Sequence, residues 1–486
     1  MPGVPARRRG AACSCLVAAE ASGASRLAAP ISAVMHRTVT ARHALAIDTE
    51  EGEGSNHHGT QSNVELLAQS SRPATRLNRI VVWMASLEFE EMTERSVSAE
   101  SRAPSRPSSS HFRPDIQGLR ALAVLLVVFA HASVPHFAGG YIGVDVFFVI
   151  SGYVITDLLL RQPAHSVRAN LKSFYARRIR RIIPAATVVL VATVIATYMW
   201  LGPNTGVPLL TDVRWASLFA ANWHLIQTSS SYFIPGVPPS LVTHFWSLAV
   251  EEQFYIVFPL LVFSLGMLVA AKRRPIALGG VLILAIVASS WWSIHLTPIN
   301  AIDAYYSPFT RFWELALGGL IVVLPRRWAE RTPRLNAVVG ALAIVVVVVA
   351  AMRLTDFSVY PGALAWWPCG ATALLLWTGQ ASAVGGPATW LSWRPVQYVG
   401  NVSYSFYLWH YLWLMLPQQY ATSPMAPLSR VLQVLAAFFC AVISYHFLEN
   451  PIRRSKWLDQ RPYAAGLLLV GCLLVTWSVT FLYATL

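Results

Sequence analysis

The chain has 486 residues, of which 55% are hydrophobic and 12% charged, with a mean hydropathy of +0.49. Soluble proteins carry about 25% charged residues, so this composition excludes a disordered protein, a collagen-like chain and a small disulfide scaffold, and argues against a soluble multi-domain enzyme. The net charge of +14 comes from basic residues that lie mostly between apolar runs; membrane topology explains them there, and with no nucleic-acid-binding motif present, nucleic acid is not expected as a partner.

Residues 1–110 are rich in Ser, Arg, Ala and acidic groups and hold no apolar run near 18 residues. Arg7–Arg9 followed by Gly10–Ala19 faintly resembles a signal peptide, but the apolar core is short and broken by Cys, Ser and Glu. Residues 93–114, rich in Ser, Arg and Pro, read as disordered. Met92 is the expected translation start, with the upstream segment an artefact of gene prediction. Three regions are expected: a disordered extension over 1–110, a membrane domain over 111–455, and a basic linker with a final transmembrane helix over 456–486.

From Ile116 onward twelve apolar candidates follow, at 116–136, 139–160, 182–201, 212–226, 244–268, 276–296, 309–325, 335–352, 360–378, 396–416, 428–447 and 463–484. A helix needs about 20 residues to cross about 30 Å of hydrocarbon. The fold class is therefore all-α, a polytopic helical bundle in a membrane. The loop before 182–201 carries Arg168, Lys172, Arg177, Arg178, Arg180 and Arg181, and is expected in the cytoplasm. Three further basic loops hold Lys272–Arg274, Arg326–Arg334 and Arg453–Arg461. All four share one side only if one candidate between 182 and 268 fails to span. The weakest is 212–226, which is short and contains Arg214, Asn222 and His224. It is expected to be re-entrant or interfacial, leaving eleven spans with the N-terminus inside and the C-terminus outside. No inverted repeat or pair of broken helices of the transporter kind stands out. Cys369, Cys440 and Cys472 fall inside apolar runs and read as packing residues, with spacing that fits no metal site.

Ionisable groups inside a membrane are costly and usually functional. Arg120 and His131 stand eleven residues apart on the first span, about three turns and roughly 16 Å along one face. His131 reads as a general base served from the cytoplasm, or as a histidine bonded to a neighbouring helix. Asp145, in the run Gly139–Gly152, could orient or charge-stabilise a His or Arg, or form a structural ion pair. The basic run Phe174–Pro184 could bind the phosphates of a polyanion such as coenzyme A through bidentate arginines, or serve only as a topology signal with lipid headgroup contacts. In His244–Tyr255, the residues His244, Glu251 and Tyr255 share a helical face, which reads as an acceptor side or a helix-locking network. Three later polar islands, Arg311–Glu314, Asn401–His410 and Tyr445–Pro451, carry aromatics that anchor at the interface or line a sugar site.

The order of these motifs resembles the membrane-bound acyltransferase-3 family, the O-acetylase-like proteins of bacterial O-antigen and peptidoglycan modification. Phe112–Arg120 continuing to His131, Gly143–Gly152, Tyr175–Pro184, Trp246–Tyr255, Tyr404–His410 and Phe447–Pro451 carry the likeness over roughly 112–455. The resemblance implies that His131 acts in acyl transfer and that Arg120 supports donor binding. It places the family's Arg-x-x-Arg motif on Arg178 and Arg181, with Arg177 and Arg180 as an overlapping reading, at a cytoplasmic acyl-donor side. The expected catalytic set is His131, Arg120, Asp145 and Glu251. The expected co-substrate is an acyl-CoA, foremost acetyl-CoA, with no bound cofactor. The expected acceptor is an envelope glycan or glycolipid, with membrane lipid around it and an extracytoplasmic partner conceivable because no hydrolase-like domain follows Pro451. The alternatives are acylation of a secreted small molecule such as a macrolide glycoside, and a transporter or flippase without catalysis.

Overall fold

A computed structural model describes residues 113–162, 167–228, 240–380, 386–421 and 425–485. The expected disordered extension and the expected start at Met92 lie outside the described residues. Within them the chain is helical throughout, as hydrocarbon demands: with no water to bond backbone groups, each segment must satisfy its own. Eight helical segments are long and apolar enough to cross a membrane.

In chain order, α1 spans Pro114–His131, and a short 3-10 turn leads into α2, Gly143–Leu160. Helix α3, Val167–Ser217, is broken at Gly202, whose φ of 76° is left-handed. After α4, Ala221–Gln227, come α5, Phe245–Leu268, α6, Arg274–Leu296, and the single-turn α7, Ala301–Tyr306. Two short helices, α8 (Phe312–Val323) and α10 (Trp366–Thr378), flank α9, Pro333–Arg353. At about 1.5 Å per residue α8 and α10 cover roughly two-thirds of the hydrocarbon depth. Helices α11, Arg394–Met415, α12, Pro427–Ser444, and α13, Pro462–Thr485, complete the bundle.

The basic residues of the second apolar gap are helical. They form the first turns of α3, which begins at Val167, fifteen residues ahead of the expected apolar start at 182. The segment after Gly202 doubles back along α13: Tyr483 donates to the Gly202 carbonyl, Arg214 to the Thr480 hydroxyl, and Trp477 to Ser217. His224 on α4 bonds Asp212 and stacks on Trp215. This hairpin occupies the weakest apolar candidate. With it doubled back, all four basic clusters fall at helix ends on one end of the bundle, called here the basic end.

Helix α2 is the hub, with 72% of its apolar window buried, against 17% for the lipid-facing α13. Small residues let neighbours close on it, as membrane helices without a hydrophobic drive between them require. A Cβ on Gly152 would fall 1.8 Å from the Leu315 carbonyl oxygen of α8, and one on Gly318 the same distance from that of Val149. Likewise Gly400 brings α11 onto α1, where a Cβ would meet the Gln117 carbonyl at 1.9 Å. These contacts bring α1, α2, α8 and α11 around one polar interior.

Candidate active site

Two cavities open toward opposite ends of this interior. The one toward the basic end measures about 160 Å³ and is lined by Gln117 and Arg120 of α1, Ser151 of α2, Arg178 and Arg181 of α3, and Glu251, Glu252 and Tyr255 of α5. The other, about 450 Å³, is lined by His131, His136, Tyr141, Trp246, Tyr305 and Asp356. Val144 and Tyr407 line both, so a partition one side chain thick divides them.

The helical pitch explains which arginines enter the first cavity. Residues three apart share a face, so Arg178 and Arg181 both line it. Arg177 is exposed and bonds Ser173 on its own helix. Arg180 is buried and reaches out to Asp459 at 2.8 Å, with Asp459 70% exposed; it tethers α3 to the stretch before α13. That contact holds the Asp459 carboxyl below the usual carboxylate range. Arg177 and Arg180 therefore do not line the cavity expected to take a phosphate donor.

The arginines that do line it are held by acids. The Arg178 guanidinium lies 3.6 Å from the centre of the Tyr255 ring, and the Tyr255 hydroxyl donates to Glu251. Ser151 donates to the same carboxylate at 2.6 Å. Arg120 donates to Gln117 at 3.1 Å and lies within electrostatic reach of Arg181, Glu251 and Glu449. Glu449 is itself fixed by Ser405 at 2.9 Å. Three arginines face one small space, with fewer hydrogen bonds among the described residues than their donors can make, a donor set whose chemistry suits an anion.

His131 closes the last turn of α1, so Arg120 and His131, though on one helix, face different cavities. His131 Nδ1 lies 3.1 Å from His410 Nε2, and His410 Nδ1 lies 2.6 Å from the Tyr407 carbonyl oxygen. Tyr411 packs edge-on to His131 at 5.1 Å and stacks on His244 at 4.5 Å. The Tyr407 hydroxyl donates to the His244 carbonyl at 3.0 Å and pairs with Ser247 at 2.7 Å. The face His244–Glu251–Tyr255 is thus not one site: His244 belongs to the histidine end and Glu251 to the arginine cavity.

Asp145 sits in neither place. It bonds Arg311 at 2.7 Å, and Arg311 also bonds Glu314 at 2.8 Å, with none of the three side chains more than 2% exposed. Oxygen and sulfur atoms of Asp145, Glu314 and Cys369 lie within 4.8 Å of one another, a spacing open to a metal, but the Arg311 guanidinium already supplies the cation. Arg311 lies 5.0–5.5 Å from the ring centres of Trp246, Tyr305 and Tyr360, so the triad backs the aromatic wall of the histidine cavity. The polar island Arg311–Glu314 carried this signal in the sequence, without revealing Asp145 as its partner. His410 and Glu449 likewise stand in islands whose partners the sequence does not show.

Residues 113–446 match the family model described as an acyltransferase domain. The chain is 33% identical over 370 residues to the peptidoglycan O-acetyltransferase OatA of Listeria monocytogenes, covering 72% of this chain and 57% of that protein. It is 34% identical over 356 residues to the putative peptidoglycan O-acetyltransferase YrhL of Bacillus subtilis, covering 70% and 55%, and 30% identical over 354 residues to the O-acetyltransferase OatA of Staphylococcus aureus, covering 71% and 58%. The match spans little more than half the length of each of these relatives. No solved structure matches the chain. On the family model and these relatives together, the chain belongs to the acyltransferase-3 family of multi-pass bacterial membrane proteins.

Proposed function

We propose that this chain is an integral-membrane O-acyltransferase that moves an acyl group, acetyl foremost, from acyl-CoA to a hydroxyl of an envelope glycan. The observation that carries the proposal is the pair of cavities divided only at Val144 and Tyr407, with arginines on one side and His131 on the other. Arg120 and His131 are eleven residues apart on one helix, roughly 16 Å along its axis. That separation suits a donor with its phosphates at one end and its thioester at the end of a long arm. The basic end faces the cytoplasm, by the excess of Arg and Lys at its helix ends, and the histidine cavity faces outward.

Arg178, Arg181 and Arg120 bind the phosphates, and Glu251, Tyr255 and Ser151 hold Arg178 and its surroundings in place. The arm passes the partition so that the thioester lies near His131. His131 takes the proton of the acceptor hydroxyl as its oxygen adds to the thioester carbonyl; the carbon–sulfur bond then breaks, and the departing thiolate receives that proton. The products are an O-acyl ester and free thiol. Trp246, Tyr141 and Tyr305 offer ring faces against which a sugar packs, and Asp356 accepts from its hydroxyls. Peptidoglycan, the substrate in the names of two relatives, is the first acceptor to test.

The test compares O-acyl profiles of envelope glycans from cells lacking the gene, complemented with the wild type or with His131→Ala at equal membrane abundance. The expected result is one O-acyl signal restored by the wild type alone. Full restoration by His131→Ala would remove the base from this account. An unchanged profile, together with substrate flux into sealed vesicles without covalent change, would favour a transporter.

A further inference from the structure

We propose that His410 is a positioning residue that sets the tautomer of His131, so that its Nε2 is the basic nitrogen. The inference rests on the reading of His131 as the base. His410 is completely buried and lines neither cavity, so any part it takes in the reaction passes through His131.

The hydrogen bonds determine where the protons are. A carbonyl oxygen only accepts, so the 2.6 Å contact between His410 Nδ1 and the Tyr407 carbonyl places the His410 proton on Nδ1. Its Nε2 then presents a lone pair to His131 Nδ1, 3.1 Å away. Two lone pairs facing each other repel, so His131 carries its proton on Nδ1 and donates it. The basic nitrogen left to neutral His131 is Nε2.

A base oriented by a third group is the common arrangement in nucleophilic catalysis, and the third group is usually a carboxylate. Here it is a neutral imidazole. Asp145, the carboxylate nearest in sequence, is committed to Arg311. A neutral imidazole at Nδ1 carries no negative charge, so it holds the imidazolium formed on proton uptake less tightly than a carboxylate would, and the proton passes to the leaving thiolate.

The test measures steady-state acyl transfer by purified, reconstituted protein carrying His410→Phe, His410→Gln or His131→Ala. Phenylalanine keeps a ring and offers no acceptor; the glutamine amide oxygen can accept from His131 Nδ1. The expected result is a fall in kcat of about 100-fold or more for His410→Phe with the donor KM unchanged, and recovery of at least a tenth of wild-type kcat in His410→Gln. Where His410→Phe is not recovered folded, His410→Leu carries the same expectation. Wild-type kcat in the Phe or Leu variant overturns the inference, and so do equal losses in folded Gln and Phe variants, because the acceptor is then irrelevant. Wild-type activity in His131→Ala overturns the reading beneath it, a separate and distinguishable failure.

Discussion

The two cavities share Val144 and Tyr407 and have little else in common. The one toward the basic end is small and charged, with three arginines and two adjacent glutamates in its lining. The other is almost three times larger, and among the described residues no arginine or lysine lines it. The arginines and His131 are thus kept apart by a single layer of side chains. The separation has a physical consequence: a cation beside a histidine disfavours its protonation, so a histidine placed among the three arginines would be a poor base. The arginines in turn need carboxylates nearby, because unpaired charge in a low-dielectric interior is costly, and Glu251, Glu252 and Glu449 supply them.

The comparison breaks most visibly at His131. Replacing it with Ala is expected to lower transfer about 100- to 10,000-fold while leaving binding of the acyl donor at the arginine cavity unchanged, as read by titration calorimetry on purified protein. A parallel loss of donor binding would show that the two cavities are not separate in function.

Next in size is Arg311. Its loss as Arg311→Leu leaves Asp145 and Glu314 buried without their cation, which costs about 3–5 kcal/mol. The expected outcome is a drop in the folded fraction recovered from membranes, seen by thermal unfolding in detergent, that affects both cavities together. A folded Arg311→Leu protein that has lost transfer alone would give the triad a direct part in the reaction.

The arginine cavity is probed by Arg181→Ala and Arg181→Lys. Losing a charge-assisted hydrogen bond is worth about 1.5–3 kcal/mol, so Ala is expected to raise the donor KM about 10- to 100-fold with kcat little changed. Lys keeps the charge but loses the planar fork and should fall between Ala and the wild type. The smallest effect is expected at Arg177→Ala, whose side chain faces away from the cavity; steady-state kinetics indistinguishable from wild type would separate the pair that binds from the pair that only alternates with it.

The helical class was legible from apolar runs; the number of spans was not, since eleven were expected and eight helices among the described residues are long and apolar enough to cross. Arg178 and Arg181 were named as a pair only through the family's Arg-x-x-Arg motif, which fitted Arg177 and Arg180 equally well. Their separation from Arg177 and Arg180 was not legible, because the expected loop gives no face; only the early helical start at Val167 does. Asp145 was legible as a costly buried acid, but its partner Arg311 lies 166 positions away. His131 and His410 are 279 positions apart. Helical periodicity orders neighbours on one segment and says nothing about which segments meet, so contacts across the bundle could not be read from it.

The most direct measurement of the two-cavity account is transfer in sealed vesicles holding protein of one orientation, with radiolabelled acetyl-CoA and a soluble glycan acceptor placed on the same or on opposite faces. The account predicts labelled glycan only when donor meets the basic end and acceptor meets the histidine end, with intact acetyl-CoA staying on its own side. Product formed only with both substrates on one face would contradict it.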